Sequence, residues 1–124
     1  MQRPYERYFG DNCFMERLNY PEIVTQILKE HYQYHTQDSQ YETQLILDSE
    51  RNHYLLISLR WQNEKRDYGC SIHVDIKDGK IWIQQDFTEQ GIAQQLLDLG
   101  VPKSDIVLAF RSPFVRQFSD FSVS

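Results

Sequence analysis

The sequence contains few of the residues that mark secreted, membrane-spanning or nucleic-acid-binding proteins. Its 124 residues include two cysteines, Cys13 and Cys70, fewer than the four or six of a secreted disulfide framework. It also lacks an apolar run long enough for a signal peptide or a membrane span. These absences predict a cytoplasmic protein with no membrane partner, in which both thiols are reduced.

Basic residues are also fewer than acidic residues. Lysine and arginine number 13 against 18 aspartates and glutamates, which gives a net charge of −5. A protein that binds DNA through its phosphates alone normally presents a basic face. The charge balance therefore argues against an autonomous DNA binder and leaves only a local basic patch open. The 14% share of aromatic residues suits a folded core in one domain.

The N-terminal third of the chain predicts a leader followed by a helix. Residues 1–14 carry proline, glycine and an Asp-Asn pair between aromatic residues, which favours an irregular leader, and residues 15–124 are predicted to form a single domain. Asn19 with Glu22 three residues later has the spacing of a capping box. Apolar residues then recur with helical spacing, so a helix is expected to run to about His35.

The remaining elements predict an α+β fold. Four strands are expected as an antiparallel meander over residues 41–47, 53–61, 66–77 and 80–85, with a four-residue loop at 62–65 and a tight Asp78-Gly79 hairpin turn. A second helix, capped by Asp86 or Thr88, should end at Gly100. Residues 105–110 form a short extended run, and Ser112 begins a last short helix. The predicted architecture is an N-terminal helix, a four-stranded antiparallel meander sheet with helices packed on one face, and a short C-terminal helix.

Strand alternation divides the predicted sheet into two faces. The expected core face carries Leu55, Ile57, Leu59, Cys70, Ile72, Val74, Ile76, Ile81 and Ile83. The opposite face carries the candidate partner-contact residues Tyr54, Leu56, His73, Asp75 and Trp82. Large aromatic side chains on an open sheet indicate either a contact surface for a partner or a second copy, or a cover formed by the leader or the C-terminal turn.

Candidate catalytic chemistry is sparse. His73 and Asp75 lie two residues apart on one strand, so they point the same way and could serve acid-base work or metal binding. Two ligands do not complete a metal site, and no nucleophile or phosphate-loop motif accompanies them. His31 and His35 have helical i, i+4 spacing but are expected to be packing groups, and Cys70 a small buried hydrophobe. The sequence therefore predicts no catalytic site, no metal and no cofactor.

The C-terminal segment contains a weak nucleic-acid signal. Arg111 and Arg116 flank Ser112 and Pro113 at the start of the last predicted helix, where an anion would be favoured by free amides. These two arginines are the candidate anion or DNA contact. A solvated end of the domain is the favoured explanation of the two arginines.

Five segments together resemble one known family. They are KEHYQYH, LILDSERNHYLLISLRW, RDYGCSIHVDIKDGKIWIQ, DFTEQGIAQQLLDLGVPKSDIVLAF and RSPFVRQF. In order and spacing they resemble the XisI family of fdxN-element excision controlling factors, found mainly in cyanobacteria. The resemblance covers the chain from about Met15 onward. It implies an accessory factor for site-specific excision of a DNA element during heterocyst development, where a serine recombinase exchanges the strands and XisH-like and XisI-like proteins control it.

Three hypotheses stay open at the level of sequence. The first is a non-enzymatic regulator that binds an XisH-like protein, with DNA and the recombinase contacted only in a complex. An antitoxin-like partner of an XisH-like nuclease is a variant of it, and a homodimer is compatible with it. The second is a direct DNA-binding directionality factor that uses Arg111 and Arg116. The third is a small enzyme or ligand-binding domain around His73 and Asp75.

Overall fold

The computed structural model describes residues 18–35 and 40–124, so the predicted leader at residues 1–14 lies outside the described residues. The described chain has an α+β fold with one sheet, three helices and a short 3₁₀ turn at Lys103–Asp105. The helices are α1 (Tyr20–His35), α2 (Ile92–Asp98) and α3 (Pro113–Arg116), and the strands are β1 (Glu42–Asp48), β2 (His53–Gln62), β3 (Lys65–Lys77), β4 (Lys80–Asp86) and β5 (Ile106–Leu108).

The sheet has five strands in the order β1-β2-β3-β4-β5. The first four form the predicted antiparallel meander, but the prediction of a four-stranded, purely antiparallel sheet is wrong, because β5 pairs with β4 in parallel. The cause is α2, which crosses over between β4 and β5 and returns the chain in the same direction. The strand β5 has only three residues, which is too short to show an alternating pattern in the sequence.

Local capping explains where the helices begin and end. The Glu22 amide donates to Oδ1 of Asn19 at 3.1 Å, which confirms the predicted start of α1. Before α2, the Asp86 carboxylate accepts from the Ile92 amide at 2.7 Å and so satisfies a free donor of the first turn. Gly100 has φ of 96° and ends α2 in the left-handed conformation that glycine tolerates.

Two tight turns set the register of the sheet. Asp78 and Gly79 both have positive φ, 54° and 74°, as the predicted hairpin turn requires. The connection between β2 and β3 is shorter than predicted. Gln62 pairs with Lys65, so only residues 63 and 64 form the turn, with Asn63 at φ of 57°. The prediction of a four-residue loop is therefore wrong, although the pairing of Arg60 with Asp67 is as expected.

A β-bulge in the middle of β3 reverses the faces of β2. Leu56 pairs with Ile72 and Ile57 with Cys70, so Ser71 is the extra residue and its hydroxyl donates to the Leu56 carbonyl at 3.1 Å. On the N-terminal side of Ile57, each residue of β2 therefore pairs with the β3 residue one position after the expected one. The side chains of this part of β2 consequently lie on the face opposite to the one expected.

The assignment of Tyr54 and Leu56 to an exposed partner-contact face is consequently wrong. Both have 0% relative exposure and belong to the main core, with the Tyr54 hydroxyl donating to Oδ1 of Asn52 at 3.2 Å. Leu55, expected in the core, pairs instead with His73 on the other side. A second bulge skips Gln84, so His73 pairs with Gln85.

The main core lies between the sheet and the two longer helices. Side chains from α1 and α2 and from all the central strands form one buried cluster, which contains Ile23, Val24, Ile27, Leu28, Tyr54, Leu56, Ile72, Val74, Ile81, Ile83, Ile92, Leu96, Val101 and Ile106. Burial of this apolar surface is the main stabilising term of the domain. None of the helices within the described residues is long and apolar enough to cross a membrane.

Candidate functional site

Four polar side chains meet on the sheet face opposite α1 and α2. His53 begins β2, His73 and Asp75 lie on β3, and Gln84 lies on β4. Oδ1 of Asp75 accepts from Nδ1 of His53 at 2.7 Å and from Nε2 of His73 at 2.8 Å. Oδ2 of Asp75 accepts from Nε2 of Gln84 at 3.3 Å. We refer to His53, His73, Asp75 and Gln84 as the polar cluster.

The polar cluster is accessible from solvent but well ordered by its contacts. The side chains of His53 and His73 are 51% and 32% exposed, whereas that of Asp75 is 18% exposed. The imidazole rings lie 6.4 Å apart with an edge-to-face orientation. Both imidazoles therefore direct a nitrogen at Oδ1 of Asp75, while Gln84 holds Oδ2 of the same carboxylate. This arrangement is suited to proton exchange or to cation binding.

Sequence reasoning placed His73 and Asp75 together but missed His53. The register without a bulge pairs His73 with Tyr54, whereas the observed register pairs His53 with Asp75. One signal was present in the sequence, because the predicted register leaves the large side chains of Tyr54 and Leu56 exposed to solvent. Shifting β2 by one residue relative to β3 buries both. The same shift brings His53 opposite Asp75.

Trp82, another predicted partner-contact residue, is half-buried. Its indole nitrogen donates to the Lys77 carbonyl at 3.1 Å. The Lys77 ammonium lies 4.6 Å and the Arg116 guanidinium 5.8 Å from its ring centroid. The C-terminal segment therefore covers part of Trp82, in line with the predicted alternative of intramolecular cover.

The two candidate anion-binding arginines have different environments. The Arg116 side chain donates to the carbonyls of four C-terminal residues, Leu108, Ala109, Arg111 and Val123, at 3.0 to 3.3 Å. Its guanidinium is thus already committed to the backbone. Arg111 is exposed and lies over the Phe110 ring, with 5.3 Å between its guanidinium carbon and the ring centroid. Because the Arg116 guanidinium is committed to backbone carbonyls, including that of Arg111, the two side chains are not arranged as a phosphate clamp.

An exposed apolar surface adjoins these arginines. Phe110, Phe114, Val115 and Phe118 are 47%, 66%, 43% and 76% exposed, and the rings of Phe114 and Phe118 pack edge to face 5.4 Å apart. We refer to these four residues as the aromatic surface. Sequence reasoning assigned Phe114 and Phe118 to the last helical turns without noticing that the four-residue α3 is too short to bury them. Exposed clusters of this kind mark contact sites.

The other two histidines, expected to pack between helix and sheet, make contacts with α2 and with each other. Nε2 of His31 donates to Oε1 of Gln95 on α2 at 2.7 Å. The His35 ring stacks 6.4 Å from that of His31. A cleft of about 550 Å³ opens beside them, between the end of α1 and the loop before α2.

Cys70 does not form a nucleophilic site. It is half-buried rather than part of the main core, and its thiol donates to the Ile72 carbonyl at 3.1 Å. Burial raises the pKa of the Cys70 thiol. Because the thiolate is the reactive species, a raised pKa makes this thiol less nucleophilic at neutral pH.

Comparison with known proteins gives a consistent picture. A family model described as XisI protein matches residues 15–123. The crystal structure of a XisI-like protein from Anabaena variabilis is similar at 46% identity and a TM-score of 0.79, over 85% of this chain and 96% of that one. The crystal structure of the fdxN element excision controlling factor XisI from the same organism is similar at 30% identity and a TM-score of 0.75, with the same coverage. No curated protein matches the chain.

Proposed function

This chain belongs to the XisI family, and on that basis we propose that it is an accessory factor that controls site-specific excision of a DNA element. The match confirms the family resemblance of the sequence. One similar structure is named as the fdxN element excision controlling factor, and this role comes to the present chain by proposal. A cytoplasmic location is part of the same proposal.

The proposed role is regulatory rather than catalytic. Control through a partner requires a protein-binding surface, and the aromatic surface is the observation that supports one. Energetic hot spots of protein interfaces are enriched in aromatic residues and arginine. The aromatic surface combines three exposed phenylalanines with the exposed Arg111 beside Phe110.

The proposed partner is an XisH-like protein, and the recombinase and DNA are contacted through that complex. Two features of this chain favour a partner over direct DNA binding. Its net charge is −5, so phosphate neutralisation would have to come largely from another protein. Arg116 is committed to backbone carbonyls and has few donors left for a phosphate. An antitoxin-like action on the XisH-like protein would use the same contact.

Variants of the aromatic surface test this mode of action. The double variant Phe114→Ser/Phe118→Ser should weaken co-purification with the cognate XisH-like protein at least tenfold, which corresponds to about 1.4 kcal/mol. Both rings are largely exposed, so the fold should be retained. Phe87→Ser is the matched control, because Phe87 is 75% exposed but lies in the loop before α2. Unchanged partner binding by the double variant would reject the aromatic surface as the contact.

A further inference from the structure

We propose that His53, His73 and Asp75 form a binding site for a divalent transition metal ion of the zinc type. This inference goes beyond the proposed function and departs from the sequence, which predicts no metal site. In the part of the chain that the structure describes, these residues are the one group of three or more metal-ligating side chains whose donor atoms converge, all lying within 4.8 Å of one another.

The donor geometry supports a metal ion. Nδ1 of His53 and Nε2 of His73 both point at Oδ1 of Asp75, at 2.7 and 2.8 Å. A cation placed among the three atoms replaces the two N–H protons and needs only a small outward shift of the side chains, since metal–nitrogen and metal–oxygen bonds are about 2.0–2.2 Å long. Neighbouring strands β2 and β3 hold the ligands, and His53 pairs directly with Asp75.

The surroundings of Asp75 resemble those of established metal sites. Nε2 of Gln84 donates to Oδ2 of Asp75 at 3.3 Å, which orients the carboxylate and leaves Oδ1 for a metal. Groups that orient a ligand in this way typically change metal affinity 10- to 100-fold when they are removed. Gln84 is aimed at the carboxylate from β4, where the second β-bulge lies.

The ligand set also indicates which metals fit. Two imidazoles and one carboxylate suit Zn²⁺, Cu²⁺ or Ni²⁺, whereas Ca²⁺ and Mg²⁺ prefer all-oxygen ligands. Three protein ligands leave one tetrahedral position for water or a residue of a partner. The site is accessible from solvent, since the His53 side chain is 51% exposed.

Metal titration of the untagged, chelator-treated full chain tests the site. Zn²⁺ should bind with a stoichiometry of one per chain by calorimetry, and Co²⁺ should give visible absorption bands of a tetrahedral complex. The double variant His53→Ala/His73→Ala should lose both signals. The double variant His31→Ala/His35→Ala removes the same number of imidazoles from the other histidine pair, and it should retain both.

A third variant keeps the test decisive if the His53→Ala/His73→Ala protein folds poorly. Gln84→Ala retains all three ligands and should weaken Zn²⁺ binding about 10-fold or more. Absence of saturable Zn²⁺ binding by the wild-type chain would overturn the proposal. So would an equal loss of binding in the His31→Ala/His35→Ala control. Partner binding by the same variants separates this inference from the proposed function, because the aromatic surface is intact in all of them.

Discussion

The Arg116 guanidinium holds the C-terminal end of the chain against the end of β5. It donates to four backbone carbonyls, which belong to three residues before the short α3 and one residue after it. Such contacts are charge-assisted, and the fork of the guanidinium satisfies several acceptors at once. Arg116 also lies over Trp82, so one side chain links the C-terminal segment to β4.

Substitution of Arg116 should therefore cost stability rather than anion binding. We expect Arg116→Ala to lower the free energy of unfolding by about 1–3 kcal/mol, because several carbonyls lose their donor. Arg116→Lys should not restore it, since one ammonium cannot reproduce the fork. Arg111→Ala is the matched control and should stay within about 0.5 kcal/mol. Urea denaturation measures all three, and equal effects of the two alanine variants would contradict the role given to Arg116.

Tyr20 and Asp105 connect the first turn of α1 to the 3₁₀ turn before β5. The Tyr20 hydroxyl donates to Oδ2 of Asp105, 85 residues away in the sequence. Burial, followed by the hydrogen bond and the negative charge of Asp105, raises the pKa of the Tyr20 phenol. The folded state therefore keeps this proton at a pH where the unfolded state releases it.

The sign of this shift gives a prediction for alkaline pH. The stabilisation is fully present below the unfolded pKa of about 10 and is lost as the pH rises above it. Tyr20→Phe should cost about 1–2 kcal/mol at pH 7, because Asp105 loses its donor. From pH 10 upward the variant should lose stability less steeply than the wild-type chain. Denaturation midpoints measured from pH 7 to 11 check this, and parallel curves would contradict it.

At the scale of elements, the sequence is informative wherever local chemistry decides the structure. The Asn19 cap and the Asp78-Gly79 turn depend on residues close in sequence, and the structure confirms both. The bulge at Ser71 depends instead on burying Tyr54 and Leu56 against α1 and α2, which only the assembled sheet decides. For the same reason the sequence does not predict the parallel pairing of β5 with β4 or the place of His53 in the polar cluster, since their partners come from distant segments.

Two glycines, Gly69 in β3 and Gly79 in the turn between β3 and β4, allow the cost of backbone strain to be distinguished from the cost of packing. Gly79 has φ of 74°, and a Cβ added there meets nothing within 4 Å. A Cβ at Gly69 also meets nothing, but Gly69 does not have a left-handed φ. We expect Gly79→Ala to cost about 1 kcal/mol because of its backbone conformation, and Gly69→Ala to be neutral or slightly stabilising. Thermal denaturation compares them, and a similar cost at both positions would contradict this explanation.

As a whole molecule, the chain is an acidic domain with an aromatic surface in its C-terminal segment and a polar cluster on the sheet face opposite α1 and α2. These features fit a protein that acts by contact with another protein. Neither the residues of the aromatic surface nor those of the polar cluster could be fully predicted from the sequence. The aromatic surface follows from the short length of α3, and the polar cluster from a bulge that changes which side chains share a face.

Co-purification with the cognate XisH-like protein, followed by DNA binding of each protein and of the complex at low salt, tests the central claim most directly. We expect the two proteins to co-elute and only the complex to bind DNA. Failure to co-elute, together with salt-dependent DNA binding by this chain alone, would rule out action through the partner and establish a direct DNA-binding factor instead.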